Sequence, residues 1–330
     1  MKRREFLKAS GAGLASTTVF GLSGLITSCS SDSEDSPAVD PGVNPGVNPS
    51  VINIDLTAEG TTKTLVDGAS VFVWQFKDAV GTGPGALTSG LLVNEGDTVN
   101  VTLTNMLDRE IRFSIAGVTM STTDPVGVGD TLTYSFTAPA AGSYMYSDDI
   151  HGELGRAMGL AGPMVVMPAD GSDTLYSSGP AFDRQYTMFM SELDDRLNTV
   201  VEAGGDYDMD DYEPNYFFAN GLSFPDTTTG GDTKIDMNVG EDVAIRFING
   251  GAITYPMHFH GYHVNVATRN RVVETRAIEK DTVQVERDEC VDVILPVAQA
   301  GMFPLHTHYV PGVTANGVYA NGGLIIMSAS

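Results

Sequence analysis

Four of the six histidines in this 330-residue sequence form two His-x-His pairs, His258/His260 and His306/His308. Residues i and i+2 of a β-strand point to the same face, so each pair would present two imidazoles side by side on a strand. Imidazole is a common ligand of copper and zinc, and all-nitrogen ligation favours Cu(II), with Zn(II) as a competitor. The spacing therefore predicts a metal site with room for one ion or at most two.

The segments that must position these histidines alternate as β-strands do. Val99, Val101 and Leu103 fall on one face of a run whose other face is polar, and 132–136 and 291–295 repeat the pattern. Clusters of Gly, Pro, Asn and Asp separate the runs, and no long helical period occurs. The sequence predicts an all-β protein made of β-sandwiches or barrels, with one helical turn within 152–160.

The second half of the chain repeats the first. Segment 96–105 (GDTVNVTLTN) matches 240–249 (GEDVAIRFIN) at an offset of 144 (240 − 96), and Ala-Gly at 141–142 matches Ala-Gly at 300–301. Extended along the chain, the matches place each paired histidine on a residue without an imidazole: His258 on Ser114, His260 on Ala116, His306 on Ser147 and His308 on Asp149. We expect tandem β-sandwiches at 51–175 and 176–330, with the histidine pairs only in the second.

The first 29 residues have the features of an export signal. Lys2-Arg3-Arg4 resembles a twin-arginine signal, and Ile26-Thr27-Ser28-Cys29 resembles a bacterial lipoprotein cleavage box. The mature chain would begin at a lipidated Cys29; an uncleaved membrane anchor is the alternative. Segment 30–50 is acidic and then repeats Pro-Gly-Val-Asn, which predicts a disordered linker. These features predict a bacterial protein that is exported and lipid-anchored in the cell envelope, in the periplasm or on the outer-membrane surface.

Charge and cysteine content limit the partners. The formal net charge of −24 argues against nucleic acid as a partner and raises the local concentration of cations. The only cysteines are Cys29 and Cys290, so no disulfide can form if Cys29 is lipidated. Cys290 falls in an apolar strand, where we expect it to pack rather than to bind a metal.

Several motifs together resemble the multicopper oxidases, which are built from cupredoxin domains. The resemblance covers about residues 70–328 and is carried by motifs in a fixed order. They are GDTV at 96–99, YEPNYFFANG at 212–221, PMHFHG at 256–261, KDTV at 280–283 and the stretch 301–308. The resemblance implies two tandem cupredoxin-like Greek-key β-sandwiches and copper as the cofactor.

The resemblance also implies that half of the histidine ligands of one copper centre are missing. In that family a three-copper cluster takes four His-x-His pairs, two from each end domain. His258, His260, His306 and His308 match the pairs of the last domain, whereas the matching positions of the first domain hold no histidine.

The type 1 centre, which accepts electrons from substrate in that family, is lost as well. Its cysteine position holds Thr307, its two histidine positions hold Tyr255 and Gly312, and its axial methionine falls near Gly317. A blue copper site depends on a thiolate ligand, so we expect no type 1 copper here.

Two further histidines lie near the matched motifs. Two-domain members of that family commonly form trimers with the cluster between subunits. By that resemblance, His151 and Asp149 of the first sandwich would complete a smaller metal site in a homotrimer; an ordinary loop histidine is the alternative for His151. We expect His263 to be a neighbour of the site rather than a ligand.

Three functions remain open. The chain is a copper-dependent oxidoreductase, a non-catalytic protein for copper storage, tolerance or delivery, or a metal-free cupredoxin scaffold. Loss of the type 1 site weighs against laccase-type turnover, and retention of four histidines weighs against the scaffold. Hydrolytic motifs such as Gly-x-Ser-x-Gly and His-Glu-x-x-His do not occur.

Overall fold

A computed structural model describes residues 49–78, 90–229 and 233–330. The export signal, Cys29 and all but the last two residues of the 30–50 linker lie outside the described residues. The all-β prediction is confirmed, because strands make up most of the regular structure. Within the described part of the chain, no helix is both long and apolar enough to cross a membrane.

The first sandwich consists of two four-stranded sheets whose apolar faces meet. One sheet has the order β2-β1-β4-β6 and contains β1 (Val51–Thr64), β2 (Ser70–Asp78), β4 (Thr98–Asn105) and β6 (Thr131–Thr137). The other has the order β3-β8-β7-β5 and contains β3 (Leu91–Asn94), β5 (Phe113–Ile115), β7 (Gly142–Asp148) and β8 (Ala161–Met167). The core between them includes Val99, Val101 and Leu103, as the alternation predicts.

The second sandwich is larger. Its five-stranded sheet has the order β11-β22-β19-β13-β17 and contains β11 (Ile235–Met237), β13 (Tyr255–Phe259), β17 (Thr282–Val285), β19 (Gly301–Thr307) and β22 (Leu324–Ala329). The facing sheet contains β9 (Arg184–Leu193), β10 (Tyr216–Ala219), β12 (Asp242–Asn249), β14 (Val264–Arg269), β15 (Val272–Val273), β16 (Glu279–Lys280), β18 (Cys290–Pro296), β20 (Thr314–Ala315) and β21 (Val318–Tyr319).

Two short α-helices lie among the described residues. Helix α1 (Gly152–Met158) agrees with the expected helical turn and ends at Gly159, whose φ of 115° is the left-handed conformation that glycine adopts readily. Helix α2 (Asp195–Glu202) was not expected from the sequence; its N-cap is Asp194, whose carboxylate accepts the Arg196 N–H.

The internal repeat extends to individual hydrogen bonds. The Asn105 side-chain amide donates to the backbone carbonyls of Arg109, Val126 and Gly127, and its oxygen accepts the Leu107 N–H. At an offset of 144, Asn249 donates to the carbonyls of Ile253, Val285 and Glu286 and accepts the Gly251 N–H. In each sandwich the buried asparagine therefore fixes the loop after the strand, and in the second sandwich this loop leads directly into β13.

A buried ion pair of the second sandwich is hydrogen-bonded to the first. Arg246 on β12 lies 3.5 Å from the Asp292 carboxylate on β18, and neither is more than 1 % exposed. Ser143 on β7 of the first sandwich donates its hydroxyl to Asp292 at 2.5 Å. The polar network therefore crosses the contact between the two halves of the chain.

Candidate metal centre

The two histidine pairs lie on neighbouring antiparallel strands. His258 is on β13 and His260 follows the strand directly, whereas His306 is on β19 and His308 is just beyond it. The register places His258 opposite His306. Since Met257 and Phe259 point into the core of the second sandwich, the alternating histidines face outward, and the paired strands bring all four imidazoles to one surface.

The four rings form a compact cluster. Ring centroids lie 4.7 Å apart for His258–His260, 4.6 Å for His258–His308, 5.1 Å for His260–His306 and 5.6 Å for His306–His308. The Nε2 atoms of His260 and His306 are 3.0 Å apart. The predicted meeting of the two pairs is therefore observed in the structure.

Hydrogen bonds orient two of the rings. His258 Nδ1 lies 3.1 Å from the Asp281 carbonyl and 3.0 Å from the Thr282 hydroxyl, and His306 Nδ1 lies 3.0 Å from the Thr307 carbonyl. A carbonyl only accepts, so each Nδ1 carries the proton and each Nε2 presents a lone pair. Partners of this kind fix the tautomer and direction of metal-binding histidines.

Two rings of the cluster favour the neutral form and are open to solvent. Burial and the neighbouring histidines lower the pKa of His260 and of His308, so both rings tend to be neutral, the form that binds metals. His260 and His308 are also exposed. In the part of the chain that the structure describes, no group of three or more His, Cys, Asp or Glu side chains is arranged so that it could hold a metal ion. Within a single chain the four imidazoles are therefore exposed on one side and are not enclosed by further ligands.

The donors nevertheless suit copper. Two nitrogen ligands bound at about 2.0–2.1 Å to one ion lie about 3 Å apart when they are at right angles, which is the spacing of His260 and His306 Nε2. Right-angled nitrogen ligation is characteristic of tetragonal Cu(II). The donor chemistry and this spacing both fit a copper ion at the exposed edge of β13 and β19.

The first sandwich contains the same strand pair without the imidazoles. Ser114 on β5 is opposite Ser147 on β7, just as His258 is opposite His306. Asp149, at the position that corresponds to His308, forms an ion pair with Arg112 at 2.7 Å. The lost pairs leave a polar surface here rather than a second set of nitrogen donors.

His151 lies in the first sandwich, apart from the cluster. Its Nδ1 is 2.7 Å from the buried Asp148 carboxylate, and its ring packs edge-on against Trp74 at 5.9 Å. These contacts do not join it to the four histidines of the same chain, so a role as ligand across a subunit boundary stays a prediction. His263 is exposed and lies beyond His260, outside the ring contacts of the cluster.

The positions of the lost type 1 ligands are filled by other side chains. Tyr255 is fully buried and donates its hydroxyl to Glu192, and Thr307 is 1 % exposed. A Cβ at Gly312 would lie 2.5 Å from Thr307 Cγ2, so no larger residue fits at the second histidine position without movement. Glu192 was missed from the sequence; the available signal was a single carboxylate in the apolar run of β9.

Cys290 is buried on β18, as expected from the sequence. It packs with Phe189 and Ile248, and burial raises the pKa of its thiol to about 12. A thiol in this setting stays protonated and does not replace the missing thiolate at Thr307.

Comparisons with known proteins agree with this architecture. Two models of the multicopper oxidase family match residues 77–171 and 199–320, which together span more than half of the chain. The multicopper oxidase mgLAC is similar in structure at a TM-score of 0.71 and 25% identity, over 85% of this chain and 86% of that one. A blue copper oxidase from Nitrosomonas europaea is similar at 0.71 and 24% identity, over 85% and 86% of the two chains.

A copper nitrite reductase from Nitrosomonas europaea is similar at a TM-score of 0.65 and 19% identity, over 85% of this chain and 94% of that one. Likenesses at identities this low show the fold alone. A search of curated proteins finds no match.

Proposed function

Because this chain belongs to the multicopper oxidase family, as a member with two cupredoxin-type domains, we propose that it is a copper-dependent oxidoreductase. It has one copper site, which keeps only part of the ligand set of the family's three-copper cluster. The site is formed by His258, His260, His306 and His308, and type 1 copper is lacking. The observation that carries the proposal is the outward-facing cluster itself, in which two paired strands bring four imidazoles together.

The residues of the site have distinct roles in this proposal. Bound copper supplies a one-electron redox centre. The four imidazoles hold it, and the bonds from His258 and His306 Nδ1 to backbone carbonyls keep their Nε2 lone pairs directed to the surface. The net charge of −24 attracts the cation, since a strongly negative field raises its local concentration. Substrate electrons reach this centre without passing through a type 1 thiolate, because Thr307 stands at the cysteine position.

The open side of the cluster supports a site shared between subunits. We propose a homotrimer in which His151, and Asp149 beside it, face the four histidines of the next protomer. Asp148 already holds His151 Nδ1, which leaves His151 Nε2 free for a metal. We also propose that the protein is exported and lipid-anchored at Cys29 in the bacterial cell envelope.

Mixing two inactive variants tests the shared site. His306→Ala and His151→Ala each damage one half of every interface, so homotrimers of either variant should bind less copper. Mixed trimers contain some interfaces with both halves intact and should recover part of the bound copper. No recovery, or full copper binding by His151→Ala alone, would remove His151 from the site.

A second function is favoured by the exposure of the ligands. His260 and His308 are open to solvent and no closed cage surrounds them, which suits a protein that takes up and releases copper for storage, tolerance or delivery. In that case copper binds but no catalytic reduction of dioxygen follows.

Metal analysis with optical and EPR spectra of the mature protein tests the primary proposal. We expect copper rather than zinc, without the intense thiolate band near 600 nm that marks a blue site. Oxygen uptake with phenols or Cu(I) should fall in His306→Ala and persist in His263→Ala, the matched control outside the cluster. Uptake that survives His306→Ala would remove the oxidase function from this site, and copper binding without uptake would leave the storage function.

A further inference from the structure

A buried tyrosine–carboxylate pair occupies the core side of the strand that carries His258. Tyr255 is fully buried and Glu192 is 3 % exposed, and the Tyr255 hydroxyl donates to Glu192 Oε2. The second oxygen, Oε1, accepts the N–H of Ala252. In both bonds the carboxyl group is the acceptor, which is the arrangement expected of a carboxylate.

A short path connects this pair to the histidine cluster. Tyr255 is bonded to Pro256, and the Pro256 carbonyl accepts the backbone N–H of His308 at 2.7 Å. One peptide unit and one hydrogen bond therefore separate the Tyr255 backbone from a histidine that we assign as a copper ligand.

The path continues toward the surface through a second tyrosine. Tyr309 follows His308, is half-buried, and packs edge-on against Phe217 with ring centroids 5.9 Å apart. Its phenol lies close enough to contribute to the raised pKa of Tyr255, although burial is the main cause.

Two other tyrosines bond to carboxylates but differ in their surroundings. Tyr216 donates to Asp67 at 2.8 Å and Tyr207 donates to Asp194 at 3.0 Å. Asp67 is exposed in the first pair, and Tyr207 is only partly buried in the second. In both of these pairs water competes for the phenolic proton, whereas Tyr255 and Glu192 are both enclosed.

We propose that Tyr255 is redox-active and relays single electrons to the four-histidine copper site, with Glu192 as its proton acceptor. This relay rests on the proposed copper function. The Tyr255 O–H bond breaks, its proton passes to the Glu192 carboxylate, and one electron leaves the phenol; a Cu(II) ion held by the four imidazoles would be the one-electron acceptor. A phenol-class reductant then returns one electron to the phenoxyl group, Tyr255 takes its proton back from Glu192, and the proton of the reductant is released to solvent.

The buried setting explains why the base must be adjacent. Oxidation without proton loss would leave a cation in an apolar core, which is costly to desolvate. Burial also raises the pKa of Glu192, which makes its carboxylate a stronger base than an exposed one. Tyr255 occupies a position that matches a type 1 histidine of the family, so its phenol offers electrons a route that Thr307 cannot.

The first test uses protein freed of metal, so that it does not depend on copper binding. One-electron photo-oxidation followed by freezing and EPR should give a neutral tyrosyl signal in the wild type. Tyr255→Phe should lose most of this signal, whereas Tyr216→Phe, the matched control with a phenol bonded to a carboxylate away from the cluster, should keep it. An equal signal in Tyr255→Phe would overturn the proposal.

The second test removes the base without removing the tyrosine. Glu192→Gln is nearly isosteric, and we expect formation of the Tyr255 radical to slow by about 10²-fold, the lower range for loss of a positioned base. Infrared difference spectra between wild type and Glu192→Gln should show a carboxylate band for Glu192. A protonated-carboxyl band would overturn the proposal, because Glu192 could then not accept the proton.

The third test joins the relay to the copper site. In copper-loaded protein without oxygen, reduction of Cu(II) by a phenol should be about tenfold slower in Tyr255→Phe, equivalent to a modest rise in the barrier. Unchanged reduction together with a lost radical signal would overturn the relay and leave the copper function intact. Failure of the wild type to bind copper would instead remove the proposed function, whatever the radical experiment shows.

Discussion

At the scale of single residues, the protonation of the histidine rings decides whether the cluster can hold a metal. His258 and His306 each give their Nδ1 proton to a backbone carbonyl, so their Nε2 atoms remain acceptors. The 3.0 Å separation of the His260 and His306 Nε2 atoms is then satisfied either by a proton on His260 or by a shared cation. Copper binding in this view requires the His260 proton to move from Nε2 to Nδ1, since a neutral imidazole binds a metal through its unprotonated nitrogen.

The Thr282 hydroxyl is the side-chain partner of His258, and its removal should weaken copper binding. Thr282→Val keeps the side-chain shape but leaves only the Asp281 carbonyl to orient the ring. Loss of such a partner costs about 10- to 100-fold in affinity, and we expect about tenfold because one partner remains. Competition with a chelator of known affinity measures the change. Thr102→Val, on the first sandwich, is the control; equal affinities in both variants would contradict this role.

At the scale of elements, alternation along the chain predicted the strands, and the repeat predicted which residues of the first sandwich correspond to the histidines of the second. The structure places Ser114 opposite Ser147 just as it places His258 opposite His306, so the corresponding residues lie on equivalent strand pairs. The partners of the rings could not be predicted, because Asp281 and Thr282 approach His258 only through the pairing of β17 with β13. Glu192 lay beyond prediction for a similar reason: nothing in its own segment shows that Tyr255, on a strand of the other sheet, donates to it.

The entry to strand β12 depends on a carboxylate and should respond to acid. Glu241 accepts two hydrogen bonds from Arg184 on β9 and two from Asn238, which lower its pKa from 4.5 to about 2. The folded pKa lies below the unfolded one. The stabilisation is therefore complete above pH 4.5 and is lost as the pH falls toward 2.

Glu241→Gln should remove this acid-sensitive part of the stability. Because the pair is partly open to solvent, we expect a loss of only about 1 kcal/mol at pH 7, which should disappear near pH 2. Urea unfolding of wild type and variant across this range measures the difference. Glu279→Gln, at an exposed carboxylate on β16, should match the wild type, and a difference between Glu241→Gln and wild type that persists at pH 2 would rule out titration of Glu241 as its cause.

At the scale of the whole molecule, the sandwiches meet through buried apolar clusters, such as Val165 and Met167 against Ala244 and Ile294, and a buried charged network lies within the same contact. Arg246 and Asp292 belong to the second sandwich, and the Ser143 hydroxyl of the first completes the acceptor positions of Asp292 together with Thr268. Arg271 of the second sandwich adds a cation–π contact over Tyr144, with its guanidinium 4.3 Å from the ring centroid. Contacts of this kind fix how the half with the histidines sits on the half without them.

Removal of one partner of the Arg246–Asp292 pair should lower the stability of the protein strongly, whereas replacement of both partners by apolar residues should lower it little. Asp292→Ala leaves a buried guanidinium with neutral partners, namely Gln185, the Leu175 carbonyl and the Ser143 hydroxyl, and such an unpaired charge costs about 3–5 kcal/mol. Ser143→Ala removes one hydrogen bond and should cost about 1 kcal/mol. The double variant Arg246→Met/Asp292→Leu removes both charges and should recover most of the loss. Urea unfolding measures all three, and a double variant as unstable as Asp292→Ala would show that packing at the contact, not the unpaired charge, sets the cost.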